Sequence, residues 1–437
     1  MVAPFKLDTL HEPAPAVPPG PPEHGRRSKA TKGHRRRPHG RLRAFFLVLL
    51  LLVVAAGAFV AVRLSKPVPA PAATPVLART VHVPTGAVTL PWPTTGQAAI
   101  AVPAIGIDVA SGPEQPVPAA SLTKLMTAYV ILHDHPLALH EPGPTITVSQ
   151  ADVNDYEFDT VNDDSNAQVA LNEQLTEEQL LSGLLVHSAD NYADLVARWD
   201  AGSIPAFAAK MNADASRLGM TQSHFADASG VDPGSSSTAS DILKVAVPDM
   251  ANPVFASMVQ MSSVTLPVAG TLSTYTPLLG LQGVIGVKSG FTVAAGGCDV
   301  LAVVRTVHGK PTLILAAVTG QQGPVVLAQA GLHGLALVDA VAPLIGSTTV
   351  LPGNQVVAHV SEGGTSVNAR PVSSASVLTW PGVTATRVFW PARHIVDQPP
   401  RGTQAGTVVV SVGTQHVAVA VRTERDIPSQ NLLHRIF

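Results

Sequence analysis

Three short stretches of this chain carry residues that could do chemistry together. The first is Ser121-Leu122-Thr123-Lys124. On a helix, positions three apart share a face, so the Lys124 ammonium lies beside the Ser121 hydroxyl. Serine is a weak nucleophile until a base takes its proton, and a lysine desolvated in a pocket can be that base. A helix N-terminus also offers backbone N–H groups to an oxyanion. The second stretch is Ser188-Ala189-Asp190-Asn191, which closes an apolar helical run 64 residues after Lys124. The third is Lys288-Ser289-Gly290, followed by Phe291 and Thr292, inside a run of β character. A strand lysine with hydroxyls beside it suits a substrate carboxylate. Gly290 leaves room for a substrate backbone to pair with the strand edge.

These groups need a helix start, a helix end and a strand to hold them. SLTKLMTAYVIL (121–132) lacks Gly and Pro and sets Leu125, Met126, Tyr129 and Val130 at helical spacing. LTEEQLLSGLLVHS leads into Ser188. Within it Thr176 and Gln179 form a capping box, and Leu180, Leu181, Leu184 and Leu185 make one apolar stripe. DNYADLVARWDA and PAFAAKMNADASRLG read as two further helices. ADVNDYEFDTVNDDSNA (151–167) reads as an acidic, solvated loop, because it does not match the calcium-loop pattern. QAAIAVPAIGIDVASG reads as a strand pair. From about Val254 the pattern turns to strands, VTLPV, GVIGVKSGFT and CDVLAVVRTVHGKPTLILAAVTG. VVLAQAGLHGLALVDAVAPLI (325–345) reads as a long apolar helix. Residues 347–437 alternate apolar and polar positions between turn signals, which predicts a small all-β module.

The 437 residues are 46 % hydrophobic, which provides ample core and rules out general disorder. A single cysteine, Cys298, excludes a disulfide framework and a thiolate metal cluster. There is no H-E-x-x-H and no glycine-rich phosphate loop, and the pair His133 and His135 lacks further ligands, so neither metal nor cofactor is expected. Charge is distributed unevenly: residues 1–66 carry a net +9 and residues 67–437 a net −11. The acidic C-terminal part makes nucleic acid an improbable partner. Ala44–Val62 is 19 residues without a charge, long enough as a helix to span the ~30 Å hydrocarbon core. Its flank RRSKATKGHRRRPHGRLR is strongly basic, so the N-terminus should stay in the cytoplasm and the rest should lie outside the cell membrane. A cleaved signal peptide is the rival reading, but the apolar run is longer than such segments usually are. The expected organisation is a disordered basic tail over 1–43, a transmembrane helix over 44–62 and a Pro/Ala-rich spacer over 63–93. A catalytic domain over 94–346 and the β module over 347–437 follow.

The set Ser121-x-x-Lys124, Ser188-x-Asp190 and Lys288-Ser289-Gly290 resembles the S-x-x-K, S-x-N and K-T-G motifs of penicillin-recognising serine enzymes. PAASLTKLMTAYVIL, LTEEQLLSGLLVHSADNYADLVARW, FADASGVDPGSSSTASDI and GVKSGFTVAAGGCDVLAVV are similar to the serine-type D-alanyl-D-alanine carboxypeptidases, the low-molecular-mass penicillin-binding proteins. The resemblance implies an α/β (α+β) fold of the penicillin-binding-protein and β-lactamase type: an antiparallel sheet with a helical subdomain. It implies Ser121 as the acyl-forming nucleophile, Lys124 as its base and Ser188 as the relay to the leaving D-alanine. Lys288, Ser289 and Thr292 would hold the terminal carboxylate, and the N–H groups of Ser121 and Phe291 would form the oxyanion hole. The implied substrate is a peptidoglycan stem peptide ending in D-Ala-D-Ala, with β-lactams as covalent inhibitors. Alternatives are a D,D-endopeptidase, a β-lactamase, and a silent membrane-anchored wall-binding protein. The lactamase reading lacks the glutamate such enzymes place between their second and third motifs, since none occurs between Asn191 and Lys288. The second motif departs from the pattern. Either Asp190 stands where the family has asparagine, or Asn191 reaches that place by a one-residue shift.

Overall fold

The computed structural model describes residues 39–428 and Ile436, so the basic tail up to residue 38 and most of the last nine residues lie outside the described residues. His39–Ser65 forms one continuous helix, longer at both ends than the uncharged run. Gly40–Ser65 of this helix is long and apolar enough to cross a membrane. Val326–Leu344 passes the same test of length and composition, yet its Leu335, Leu337, Val338 and Val341 are buried in the protein core. That second helix is therefore a packing element.

Val68–Gln430 forms one compact unit. Its centre is a five-stranded antiparallel sheet in the order Val284–Thr292, Gly296–Val307, Lys310–Gln321, Gln97–Val102, Ile107–Ala110. Both faces are covered, and this is why its strands read as near-continuous apolar runs. Ala99, Ala101, Val300, Ala302, Leu315 and Ala317 face the helical side. Ile100, Val102, Leu301, Val303, Ile314 and Ala316 face the opposite side, where helix Val326–Val341 and the C-terminal strands pack. The second core is continuous across residue 346: Val350, Leu351, Val408 and Val410 belong to it along with the sheet residues. Gln415 Nε2 donates to the Ala104 carbonyl at 2.8 Å.

Three sequence expectations are corrected. The acidic stretch is a loop only from residue 163 on; before that it is the helix Gln150–Asn162, started by a capping box between Ser149 and Asp152. Its inward positions include Asp152 and Asp159, so polar residues occupy the face that periodicity searches for apolar ones. The strands do not begin near Val254. Helices Ala239–Ala251 and Pro253–Val259 come first, and β structure starts at Ser263. The spacer is not free either. Ala72–Pro75 pairs with Ala358–Glu362, and Thr80–His82 pairs with Thr384–Pro391, so this segment caps both edges of a seven-stranded C-terminal sheet. Edge strands expose unpaired backbone groups, and the Pro/Ala segment satisfies them.

Candidate active site

Ser121 sits in a single 3₁₀ turn, Ala120–Leu122, that runs into helix Thr123–Asp134. Ala120 has φ +48°, a costly conformation for a residue with a Cβ, and it turns the chain so that Ser121 meets the sheet edge. Edge strand Val284–Thr292 comes very close there. A Cβ on Gly290 would lie 2.8 Å from the Ser121 nitrogen and 3.2 Å from its Cβ, so only glycine fits without displacement. Gly230, at φ +86°, is confined in the same way from the other side, where a Cβ would lie 1.9 Å from the Ala120 carbonyl oxygen.

Lys124 is fully buried, and its three ammonium hydrogens have three acceptors: Ser121 Oγ at 3.0 Å, Asp190 Oδ1 at 2.5 Å and the Ser229 carbonyl at 2.8 Å. The Ser229 carbonyl is held by a turn built on Asp227, whose carboxylate accepts from the N–H groups of Gly230 and Asp232 and from the hydroxyls of Ser229 and Ser235. The sequence reading missed Ser229 because a backbone carbonyl leaves no residue-type signature. The stretch around it, FADASGVDPGSSSTASDI, entered the sequence reading only through the family resemblance.

Ser188 follows helix Glu177–Val186 and has φ +64°, a second strained residue in the site. Helix Asp190–Ala201 starts just after it, and Asp190 lies at its first turn facing Lys124. The one-residue shift does not occur. Asn191 points away and clamps Ala167, accepting its N–H at 3.0 Å and donating to its carbonyl at 2.8 Å. Burial pushes the Asp190 carboxyl above the usual carboxylate range, and the Lys124 ammonium pulls it back down.

The third motif lies on the edge strand Val284–Thr292. Lys288 is buried, at 1 % exposure, and its Nζ donates to the Ser289 carbonyl at 2.7 Å. The cavity lining includes its neighbour Ser289 but not Lys288 itself. Burial lowers its ammonium to about 7, with Lys124 adding to the effect. Ser289, Gly290, Phe291 and Thr292 line the cavity itself.

That cavity, of ≈ 220 Å³, joins all three motifs: Ser121, Ser188 and Asp190, and Ser289–Thr292 all line it. Tyr275 and Val231 complete one side and Asp163, Asp164 and Ser165 another, none of them singled out from the sequence. The last three lie in the loop that follows helix Gln150–Asn162. Among the described residues no group of His, Cys, Asp and Glu is arranged to hold a metal ion. Cys298 is buried on the strand opposite Gly290, and burial pushes its thiol up to about 11, so it is a core residue. The arrangement can activate a serine hydroxyl, present an open strand edge to a peptide and stabilise an anion nearby.

Comparisons with known proteins agree with this geometry. The family model described as D-alanyl-D-alanine carboxypeptidase matches residues 104–322. A D-alanyl-D-alanine carboxypeptidase of Streptomyces sp. (strain K15) is 31 % identical over 202 residues, 42 % of this chain and 67 % of that protein. D-alanyl-D-alanine carboxypeptidase DacB2 of Mycobacterium tuberculosis is 32 % identical over 236 residues, 50 % of this chain and 79 % of that protein. In fold, the chain is similar to penicillin binding protein 5 from Haemophilus influenzae, with TM-score 0.54 at 18 % identity, over 78 % of this chain and 99 % of that one. Because the matched span carries all three motifs and half of the chain, the protein belongs to the D-alanyl-D-alanine carboxypeptidase family of serine peptidases.

Proposed function

We propose that this chain is a membrane-anchored serine D,D-carboxypeptidase that removes the terminal D-alanine of peptidoglycan stem peptides. The observation that carries the reading is Lys124 Nζ at 3.0 Å from Ser121 Oγ, on the wall of a cavity that the other two motifs also line. In this mechanism the neutral amine of Lys124 takes the Ser121 proton while Oγ bonds to the penultimate carbonyl carbon. The oxyanion is held by the N–H groups of Ser121 and Phe291. The C–N bond then breaks, and the leaving amine receives its proton through Ser188. Water hydrolyses the ester by the reverse proton path. The open edge of strand Val284–Thr292 pairs with the peptide backbone. The terminal carboxylate is met by the hydroxyl of Thr292, with the charge of the neighbouring buried Lys288 adding to its hold. A β-lactam acylates Ser121 by the same route. The basic flank and helix His39–Ser65 support an N-terminus in the cytoplasm and a catalytic unit outside.

The test is mass spectrometry of a diacetylated tripeptide ending in D-Ala-D-Ala after incubation with the enzyme, alongside labelling by a fluorescent penicillin. Release of one D-alanine and a covalent adduct on Ser121 are expected. Ser121→Ala should lose both with its fold intact. Undiminished labelling of Ser121→Ala would reject the assignment. For topology, N-terminal sequencing of the native protein that began near Pro67–Pro75 would indicate a cleaved signal peptide.

A further inference from the structure

We propose that Tyr275 is a positioning residue for the proposed reaction: it ties the second motif to the third and sets the place of Ser188, and its ring forms an aromatic wall of the substrate cavity. The proposal rests on the function proposed above and adds a residue to it. The segment Ser273–Thr276 leaves strand Gly270–Ser273 and passes between the two motifs. The Tyr275 N–H donates to the Val186 carbonyl at 3.3 Å, two residues before Ser188. The Tyr275 carbonyl accepts the hydroxyl of Ser289 at 2.8 Å, so one residue is bonded to both motifs through its backbone.

The side chains add a second tie. His187 Nδ1 lies 2.9 Å from the Ser273 carbonyl. A carbonyl only accepts, so Nδ1 carries the hydrogen, and Nε2 of the neutral ring is an acceptor. The Tyr275 hydroxyl lies 3.4 Å from that Nε2. The two rings stack with centroids 4.7 Å apart and planes 27° from parallel. His187 directly precedes Ser188, whose positive φ must be imposed by its surroundings. Fixing the neighbouring ring from two sides supplies that constraint. The Tyr275 side of the stack is 44 % exposed and lines the cavity beside Ser188 and Ser289. A peptide entering there packs on the ring.

Tyr275→Phe removes only the hydroxyl and keeps the ring and both backbone bonds. It should lower kcat for the D-Ala-D-Ala tripeptide by about 3- to 10-fold with KM little changed, as expected for an interaction that counts in the transition state. His187→Ala should cause a similar fall. The double variant should be no worse than the poorer single one, because both remove the same tie. Tyr275→Leu also strips the wall and should raise KM by about 10-fold. Wild-type kcat in Tyr275→Phe and His187→Ala, or losses that multiply in the double variant, would overturn the proposal. So would a lowered melting temperature with kcat unchanged, since that makes the tie merely structural. An enzyme that is not labelled by penicillin at Ser121 sinks the proposed function. A labelled enzyme indifferent to Tyr275 sinks only this inference.

Discussion

Replacing Asp190 with asparagine should speed acylation at neutral pH. Lys124 and Asp190 form an ion pair at 2.5 Å with side chains 0 % and 8 % exposed. Two unit charges with centres ~4 Å apart at an effective dielectric of ~20 attract by about 4 kcal/mol. That attraction holds Nζ against the Asp190 carboxylate, while proton transfer from Ser121 needs the same nitrogen. At ~1.4 kcal/mol per factor of ten in rate, opposing all of it would cost nearly three powers of ten. The gain on mutation should be smaller, about 10- to 100-fold, because burial already raises the Asp190 carboxyl and weakens its hold as an anion. The sign follows from the charges: Ser121 passes its proton to Nζ, the carboxylate competes for that nitrogen, and a neutral amide competes less. The asparagine oxygen can still accept from Nζ, so the geometry persists. The assay is the second-order rate of fluorescent penicillin acylation from pH 5.5 to 9.5. The Asp190→Asn rate should lie above the wild-type rate at pH 7. A variant that is correctly folded yet slower at every pH would refute the reasoning and make the carboxylate itself a working group. Asn191→Ala is the partner experiment. It loses the two-bond clamp on Ala167, so it should cost about 1–3 kcal/mol of stability. Its acylation rate should change far less than that of Asp190→Asn.

Other outcomes follow from single features of the structure. Lys288 is held at about 7, so its charge is lost as pH rises through 7; KM for a peptide with a free C-terminal carboxylate should climb between pH 7 and 9 while that of the amidated peptide stays flat, and Lys288→Met should remove the difference. Asp299 is buried, and burial raises its carboxyl to about 8 against the opposing pull of Lys288 and the Val300 backbone. A raised carboxyl takes stability away as pH climbs from its unfolded value to about 8, so Asp299→Asn should raise the melting temperature more at pH 9 than at pH 5. Gly290→Ala places a Cβ 2.8 Å from the Ser121 nitrogen and should slow penicillin acylation at least about 10-fold, at a stability cost of about 1–3 kcal/mol; normal acylation would show that the strand need not approach so closely. Deleting residues 1–66 should leave a soluble, active enzyme, whereas deletion through residue 83 uncovers both edges of the C-terminal sheet and should give aggregation by light scattering.

Much of the machinery was legible because its signals are local. A serine and a lysine three apart on a helix meet whatever the rest of the chain does, and Thr176 caps its helix through Gln179 three residues on. Nineteen uncharged residues specify, by composition alone, a helix long and apolar enough to cross a membrane. The strand pair Gln97–Val102 and Ile107–Ala110 is joined by a short turn and is equally local. Other features depend on partners far away in the chain. Ala72–Pro75 has no reason to be a strand until Ala358–Glu362 supplies its hydrogen bonds. Helix Gln150–Asn162 buries Asp152 and Asp159, which is tolerable only because Arg198, from another helix, neutralises one of them. Whether Asp190 or Asn191 faces Lys124 was open in the sequence. It was decided by the rotation of helix Asp190–Ala201, which Asn191 pins to Ala167, 24 residues earlier. Lys288 likewise could be placed on a strand by pattern, but only the tertiary packing of that strand buried it. Residue type and spacing specify which groups can react; burial and long-range hydrogen bonds determine which of them face one another, because those terms exist only after distant segments have met.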